Sequence, residues 1–279
     1  MSSEDALRPQ SLLLSFLGDH VLGRDVCVYS GSVIEVFARA GVGEQATRST
    51  LARMVQRGLL RKQREGRRMY FGLTERCEDV LRDGERRVWH VGAVNREWDG
   101  SWTLLGFSLP ESWQRQRHDL RARLTWSGFG PLFSGVWIAP GVVDVTALVA
   151  ELGLGAHVKV FRAHADDGTD IDAMVEETWG LAHVAAAYEE FGARWEERGG
   201  QPPDDAGDAL ALRLTLQTDW LRIIRRDPRL PVKHLPDDWP AERAEKTFRA
   251  VHERLSPLAA SGAERLIDLV PVRDEPGQA

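Results

Sequence analysis

An α+β fold of several domains is predicted by three features of this 279-residue sequence. Residues 32–73 carry two short helices and a basic hairpin, the pattern of a winged helix-turn-helix. Residues 98–164 alternate strand and helix signals as β-α-β-β-α-β, the ferredoxin-like plan. From Asp172 onward apolar side chains recur at helical spacing, which predicts a helical C-terminal domain. The expected boundaries are 1–90, 91–168 and 169–279.

With 43% hydrophobic and 28% charged residues the composition is that of an ordinary soluble protein. Cys27 and Cys77 have no CxxC partner, so neither a disulfide framework nor a structural zinc is expected, and a reducing cytoplasm fits. The apolar run Leu12 to Leu17 is too short for a signal or membrane segment. Charge is distributed unevenly. Between Glu44 and Arg76 nine basic residues face three acids, a local +6 in a chain of net −6, so the rest sums to −12. Such a focused positive field is what displaces counterions from phosphates.

Pro9 to about Leu22 predicts a helix that is apolar nearly all round and therefore buried. Val26 to Tyr29 predicts a strand. Ser32 with Glu35 predicts a capping box that opens a second helix with Val33, Ile34, Phe37 and Ala38 inward. After Gly41-Val42-Gly43, a third helix from Glu44 to about Arg57 has two faces. Thr47, Leu51, Met54 and Val55 point inward, while Gln45, Arg48, Ser49, Ala52 and Gln56 point outward with Arg53 at the edge. The outer set suits base edges: Arg to guanine, Gln to adenine, a hydroxyl to either, Ala to a thymine methyl. Any surface helix also carries Arg and Gln, so the hairpin decides. Leu59 to Glu65 and Arg67 to Leu73 predict strands around Gly66, with Lys62, Arg64, Arg67, Arg68 and Tyr70 as further candidate DNA contacts, and another helix begins after Thr74.

The runs Arg8-Pro9-Gln10-Ser11-Leu12-Leu13-Leu14, Gly41-Val42-Gly43-Glu44-Gln45-Ala46-Thr47-Arg48 and Arg64-Glu65-Gly66-Arg67-Arg68 resemble the PaaX family of bacterial repressors of aromatic-acid catabolism. The likeness continues in Trp126-Ser127-Gly128-Phe129-Gly130, in Gly135-Val136-Trp137-Ile138-Ala139-Pro140, in Asp227-Pro228-Arg229-Leu230-Pro231 and in Leu235-Pro236-Asp237-Asp238-Trp239-Pro240. Gly43 stands where that family usually has a serine cap, and Glu75 and Cys77 replace its usual proline and glycine. The resemblance implies three domains, a homodimer on palindromic double-stranded operator DNA, and release by an aryl-acyl coenzyme A effector, commonly phenylacetyl-CoA. No resident cofactor or metal is expected.

In the middle segment, Trp102 to Leu109 predicts a strand and Trp113, Leu120 and Leu124 the inner stripe of a helix. A hairpin across Ser134-Gly135, a helix marked by Val145, Leu148, Val149 and Leu152, and a strand at Val158 to Phe161 complete the series. The family's central domain is similar in fold to a small CRISPR-associated nuclease. Phe107-Ser108-Leu109-Pro110 offers no carboxylate where such a nuclease would hold metal, so a sensor or dimer scaffold is expected instead. Arg115, Arg117, Arg121 and Arg123 line the helix. Arg117, Arg121 and Trp126, with Lys159 and Arg162 of the last strand, are candidates for an anionic effector, though a solvated helix face explains the arginine row better.

In the C-terminal segment Leu181, Val184, Tyr188, Phe191 and Trp195 form a seam expected to pack within the chain. Gly199 to Pro203 predicts a turn, Asp208 to Arg226 a helix burying some of Leu210, Leu214, Trp220, Leu221 and Ile224, and Ala241 to Leu255 a last helix before a tail beyond Val272 without fixed structure. No GxSxG elbow marks a hydrolase, and the histidines His90, His118, His157, His164, His183, His234 and His252 are scattered. Not an enzyme but a DNA-binding regulator is expected; the alternatives are a metal-dependent nuclease, and an activator or a regulator answering a different acyl-CoA or a free acid.

Overall fold

The computed structural model describes residues 8–89, 93–199 and 203–273. The turn expected at Gly199 to Pro203 and the tail expected after Val272 fall largely outside them, as does His90. Contacts gather into two compact units: Met1–Val91 with Phe191–Leu221 and Lys246–Ala279, and Gly92–Glu190 with Arg222–Glu245.

The first unit begins with α1 (Pro9–His20), whose Leu12, Leu13, Leu14, Phe16 and Leu17 are all buried. An apolar surface on every side demands neighbours all round. These come from α2 (Ser30–Arg39), α3 (Glu44–Gln56), α4 (Glu75–Trp89) and α9 (Ala206–Ile224), whose Phe37, Met54, Cys77 and Leu214 join one core with α1. Polar ties add direction: Asp19 receives hydrogen bonds from Arg213 at 3.2 Å and Gln217 at 2.7 Å, and Thr218 donates to Ser15 at 3.0 Å. The unit's sheet joins β1 (Val26–Tyr29), β2 (Leu60–Glu65), β3 (Arg68–Leu73) and β8 (Leu269–Pro271) in the order β2-β3-β1-β8, all antiparallel.

Three expectations need correction here. Helix α2 starts at Ser30, so Ser32 lies in its first turn and no side chain caps it; the Ser32 hydroxyl instead accepts the Asp268 N–H at 3.0 Å. Its inner face holds Val33, Val36 and Phe37, while Ala38 is exposed. The last helix, α10 (Ala241–Leu266), continues through Pro257 instead of stopping at Leu255, and the chain after it forms β8.

His20 lies against the Phe16 ring at 5.0 Å, and burial holds its imidazole down at about 3, aided by Arg213 and Arg24. The folded value lies below the ordinary 6.5, so the unfolded chain takes up the proton first. Stability from this residue is therefore full above pH 6.5 and lost as pH falls from there toward about 3. His252, depressed by burial to about 4, acts with the same sign, whereas the buried carboxyl of Asp19, pushed up, opposes both. Thermal melts of His20→Leu should fall less between pH 7 and pH 5 than those of the unmodified chain; identical slopes would contradict the burial.

The second unit is built on β4 (Ser101–Phe107), α5 (Gln114–Trp126), β5 (Gly130–Phe133), β6 (Val136–Pro140), α6 (Thr146–Glu151) and β7 (Val158–His164). The antiparallel sheet has the order β5-β6-β4-β7, with β7 at one edge. One face carries Leu105, Phe107 and Trp137 against Leu120 and Leu124 of α5. The other carries Trp102 and Ile138 against Val175 of α7 (Ile171–Trp179) and Leu181, the first residue of α8 (Leu181–Arg198). A Cβ at Gly130 would stand 2.3 Å from Thr178 Cγ2, so only glycine lets β5 approach α7 this closely. Gly180, at φ +61°, ends α7 in the left-handed conformation that its lack of a Cβ permits. No helix among the described residues is long and apolar enough to cross a membrane.

Candidate nucleic-acid interface

Helix α3 opens at Gly43, whose extended backbone caps it without a side chain, and Glu44 in the first turn complements the helix dipole. Thr47, Thr50, Leu51 and Met54 are buried, the two threonine hydroxyls donating back to Gly43 O at 3.2 Å and Ala46 O at 2.8 Å. This anchors the inner face. Gln45, Arg48, Ala52, Arg53 and Gln56 are exposed on the other side, with Ser49 half-buried between them. Arg48 is held by Glu44 at 2.7 Å, and Arg53 donates to Thr50 Oγ1 at 2.9 Å. The helix ends where Gly58 N–H bonds Val55 O and Leu59 N–H bonds Met54 O, with Gly58 at φ +67°; this paired closure aims the chain straight into β2.

Strands β2 and β3 pair from Leu60↔Leu73 to Glu65↔Arg68 across Gly66-Arg67, with Gly66 at φ +58°. The register sorts the basic residues by face. Leu60, Lys62 and Arg64 oppose Leu73, Phe71 and Met69, the side that packs on the helices, whereas Arg61, Gln63 and Glu65 oppose Gly72, Tyr70 and Arg68. Lys62 and Arg64 therefore extend the surface of the helical side, and Arg67 sits exposed at the tip. Arg64 donates to Gly66 O at 3.1 Å, which stiffens the turn. Arg61, Lys62 and Arg67 make no ion pair among the described residues.

Two hairpin candidates lie elsewhere. Tyr70 is buried, its hydroxyl donating to Asp268 Oδ2 at 3.0 Å, so it supports the hairpin from within. Arg68 pairs with the same carboxylate at 2.8 Å and lies over the Tyr29 ring at 5.0 Å. Hydrogen bonding to Tyr70, with Asp268 adding, raises its already high pKa. Composition alone pointed to neither contact, because Asp268 is 200 residues away in sequence. Arg61 was overlooked although it stands beside Lys62 in the same basic run.

The effector candidates occupy the other unit. Arg117 donates to Leu109 O at 2.9 Å, Arg121 is exposed, and Trp126 lies under the Arg225 guanidinium at 5.0 Å. Lys159 pairs with Gly106 and Arg162 with Thr103, so they leave β7 on opposite faces. None of the five lines the cleft of about 650 Å³ formed by Trp102, Leu104, Ile138, His164, Met174 and Glu177 among others.

Residues 8–77 match the family described as PaaX-like protein, residues 95–175 the PaaX protein central Cas2-like domain, and residues 179–265 the PaaX-like protein C-terminal domain. The chain belongs to the PaaX family. It is 29% identical over 260 residues to the protein named Transcriptional repressor PaaX of Escherichia coli strain K12, covering 89% of this chain and 81% of that one. An uncharacterized protein from Mycobacterium tuberculosis shares the fold at a TM-score of 0.57 and 23% identity, over 92% of this chain and 99% of that one. The PaaX-like match at 8–77 spans α1 to the start of α4, and so contains α3 and the whole hairpin.

Proposed function

We infer that this PaaX-family chain is a DNA-binding transcriptional repressor whose residues 8–89 act as a winged helix-turn-helix. Helix α3 enters a major groove and the β2–β3 hairpin is the wing that meets phosphates. The observation that carries this is the exposure of Gln45, Arg48, Ala52 and Gln56 on one helix face, continued by Lys62, Arg64 and Arg67 on the hairpin. The name of the Escherichia coli relative supports the repressor sign. Wing cations act on every sequence alike. Arg67→Ala should reduce the dependence of log K on log salt by about 0.9, the contribution of one phosphate contact. Fluorescence anisotropy with duplexes at several salt concentrations measures it, and a slope equal to that of the unmodified chain would sink the wing assignment.

The ferredoxin-like middle domain serves as sensor and dimer scaffold, and an aryl-acyl-CoA thioester such as phenylacetyl-CoA is the effector the family suggests. Stabilisation by one thioester from a panel, together with loss of a retarded DNA band, would name the ligand. A nuclease is the weaker reading, since Phe107 to Pro110 supplies no carboxylate at the end of β4. Metal-dependent cleavage of labelled DNA would revive it.

For the homodimer, the edge strand β7 is the surface we assign. Phe161 and Val160 are 60% and 44% exposed on its two faces, and nature normally guards such an edge. The strand carries basic Lys159 and Arg162 and is followed by acidic Asp166 and Asp167, a polarity that complements itself only when two copies meet antiparallel. Phe161→Lys, which places like charges across that two-fold, should shift the chain toward monomer in light-scattering chromatography. An unchanged mass would place the interface elsewhere.

A further inference from the structure

The segment after α10 fastens the wing. Strand β8 pairs with β1 as Val26↔Pro271, Cys27↔Val270 and Val28↔Leu269. At the junction of α10 and β8, Asp268 bonds groups from three other elements. Its N–H donates to Ser32 Oγ at 3.0 Å and its carbonyl accepts the Tyr29 N–H at 2.9 Å. Its Oδ2 accepts from Tyr70 OH at 3.0 Å and from Arg68 at 2.8 Å, both on β3. The other wing strand is tied as well. The Gln63 amide donates to Pro271 O at 3.0 Å, Arg273 N–H donates to Gln63 Oε1 at 2.9 Å, and the Arg273 guanidinium pairs with Glu65 at 2.9 Å.

We propose that Asp268 is a positioning residue for DNA binding: it clamps β3 of the wing close to the turn and holds the Arg68 charge away from phosphate, so that Arg64 and Arg67 alone meet the backbone from the hairpin's outer end. Arg68 lies on the hairpin face shared with Tyr70, not on the face that packs with the helices, and the Tyr29 ring beneath it at 5.0 Å keeps it there. A guanidinium already neutralised by a carboxylate releases no counterion when DNA binds, so it adds nothing to the salt slope. The clamp thus sets how strongly the wing grips any sequence, and with it the ratio of specific to nonspecific binding.

The inference rests on the DNA-binding reading, and the salt dependence of binding to one duplex separates the two. The expected pattern is that Arg67→Ala flattens the slope by about 0.9 while Arg68→Ala leaves it unchanged. Asp268→Asn, which keeps an acceptor for Tyr70 but removes the charge, should free Arg68 and steepen the slope by about 0.9, an extra loss of about threefold between roughly 50 and 200 mM salt. The double variant Asp268→Asn with Arg68→Ala should return to the original slope. Flattening by Arg68→Ala in the otherwise unmodified chain, or an unchanged slope in Asp268→Asn, overturns the proposal. No duplex binding overturns the DNA-binding reading beneath it, and no effect of Arg67→Ala overturns the wing assignment. The Arg68–Asp268 pair is 60% and 39% exposed and adds little to folding, so both single variants should fold; should Asp268→Asn fail to, the Arg68→Ala slope decides alone.

Discussion

Arg48→Ala should weaken binding to the chain's own operator by about 1–3 kcal/mol while leaving nonspecific affinity nearly intact. In the free protein Arg48 is paired with Glu44 at 2.7 Å, with the two side chains 57% and 61% exposed. A pair of this kind, four residues apart on a wet helix face, contributes about 0.3–0.5 kcal/mol. Two hydrogen bonds to a guanine edge are worth several times more, so breaking the intramolecular pair does not prevent the exchange. The deletion should also act at one position of the site: operators altered there should bind the variant and the unmodified chain with equal affinity. Anisotropy titrations against single-base-pair operator variants measure this. Equal weakening on every sequence would make Arg48 a phosphate contact, and no weakening would remove it from the interface.

How much of this could be seen in the sequence depended on how far apart the partners lie. Helix α3 and the hairpin were legible because their signals are local: apolar spacing for Leu51 and Met54, a glycine at the turn, paired strands of equal length. The β-α-β-β-α-β series was legible for the same reason. Ser32 misled because a serine followed by a glutamate three residues on fits a helix start, yet its hydroxyl is taken by Asp268, 236 residues away. Tyr70 misled in a similar way. Strand alternation predicts one wet face, but Tyr70 and Phe71 are both buried because Tyr29 and Asp268 cover the side that local pattern leaves open. Helix α10 exceeded its expected end because proline normally breaks a helix at a cost of about 3 kcal/mol. Here burial of Leu255 and Ala259 on either side of Pro257 offsets that cost. Gly262 brings the helix onto the start of α9 so closely that a Cβ there would meet Ala206 O at 2.1 Å.

The largest loss of stability is expected from Trp220→Ala, about 3–5 kcal/mol, the range for removing a large aromatic from a packed interior. Trp220 is 2% exposed, its ring stacked on Phe248 of α10 at 5.0 Å and 11°, and tilted against Phe191 of α8 at 5.3 Å. Three helices therefore share one aromatic joint, and no small side chain can fill the space left. Most domains hold only about 5–15 kcal/mol in reserve, so the variant should unfold at much lower denaturant. The effect reaches the proposed DNA-binding elements through α9, which carries Leu210 and Leu214 into the core of α1 and Arg213 and Gln217 onto Asp19. Loss of the joint should thus leave operator affinity unchanged in the cold, where the chain stays folded, and abolish it at temperatures the unmodified chain tolerates. Trp220→Phe keeps the stack and should lose less. A denaturation midpoint unmoved by Trp220→Ala would mean that α8, α9 and α10 do not meet at this residue, whereas weaker binding in the fully folded variant would mean that the joint shapes the interface directly.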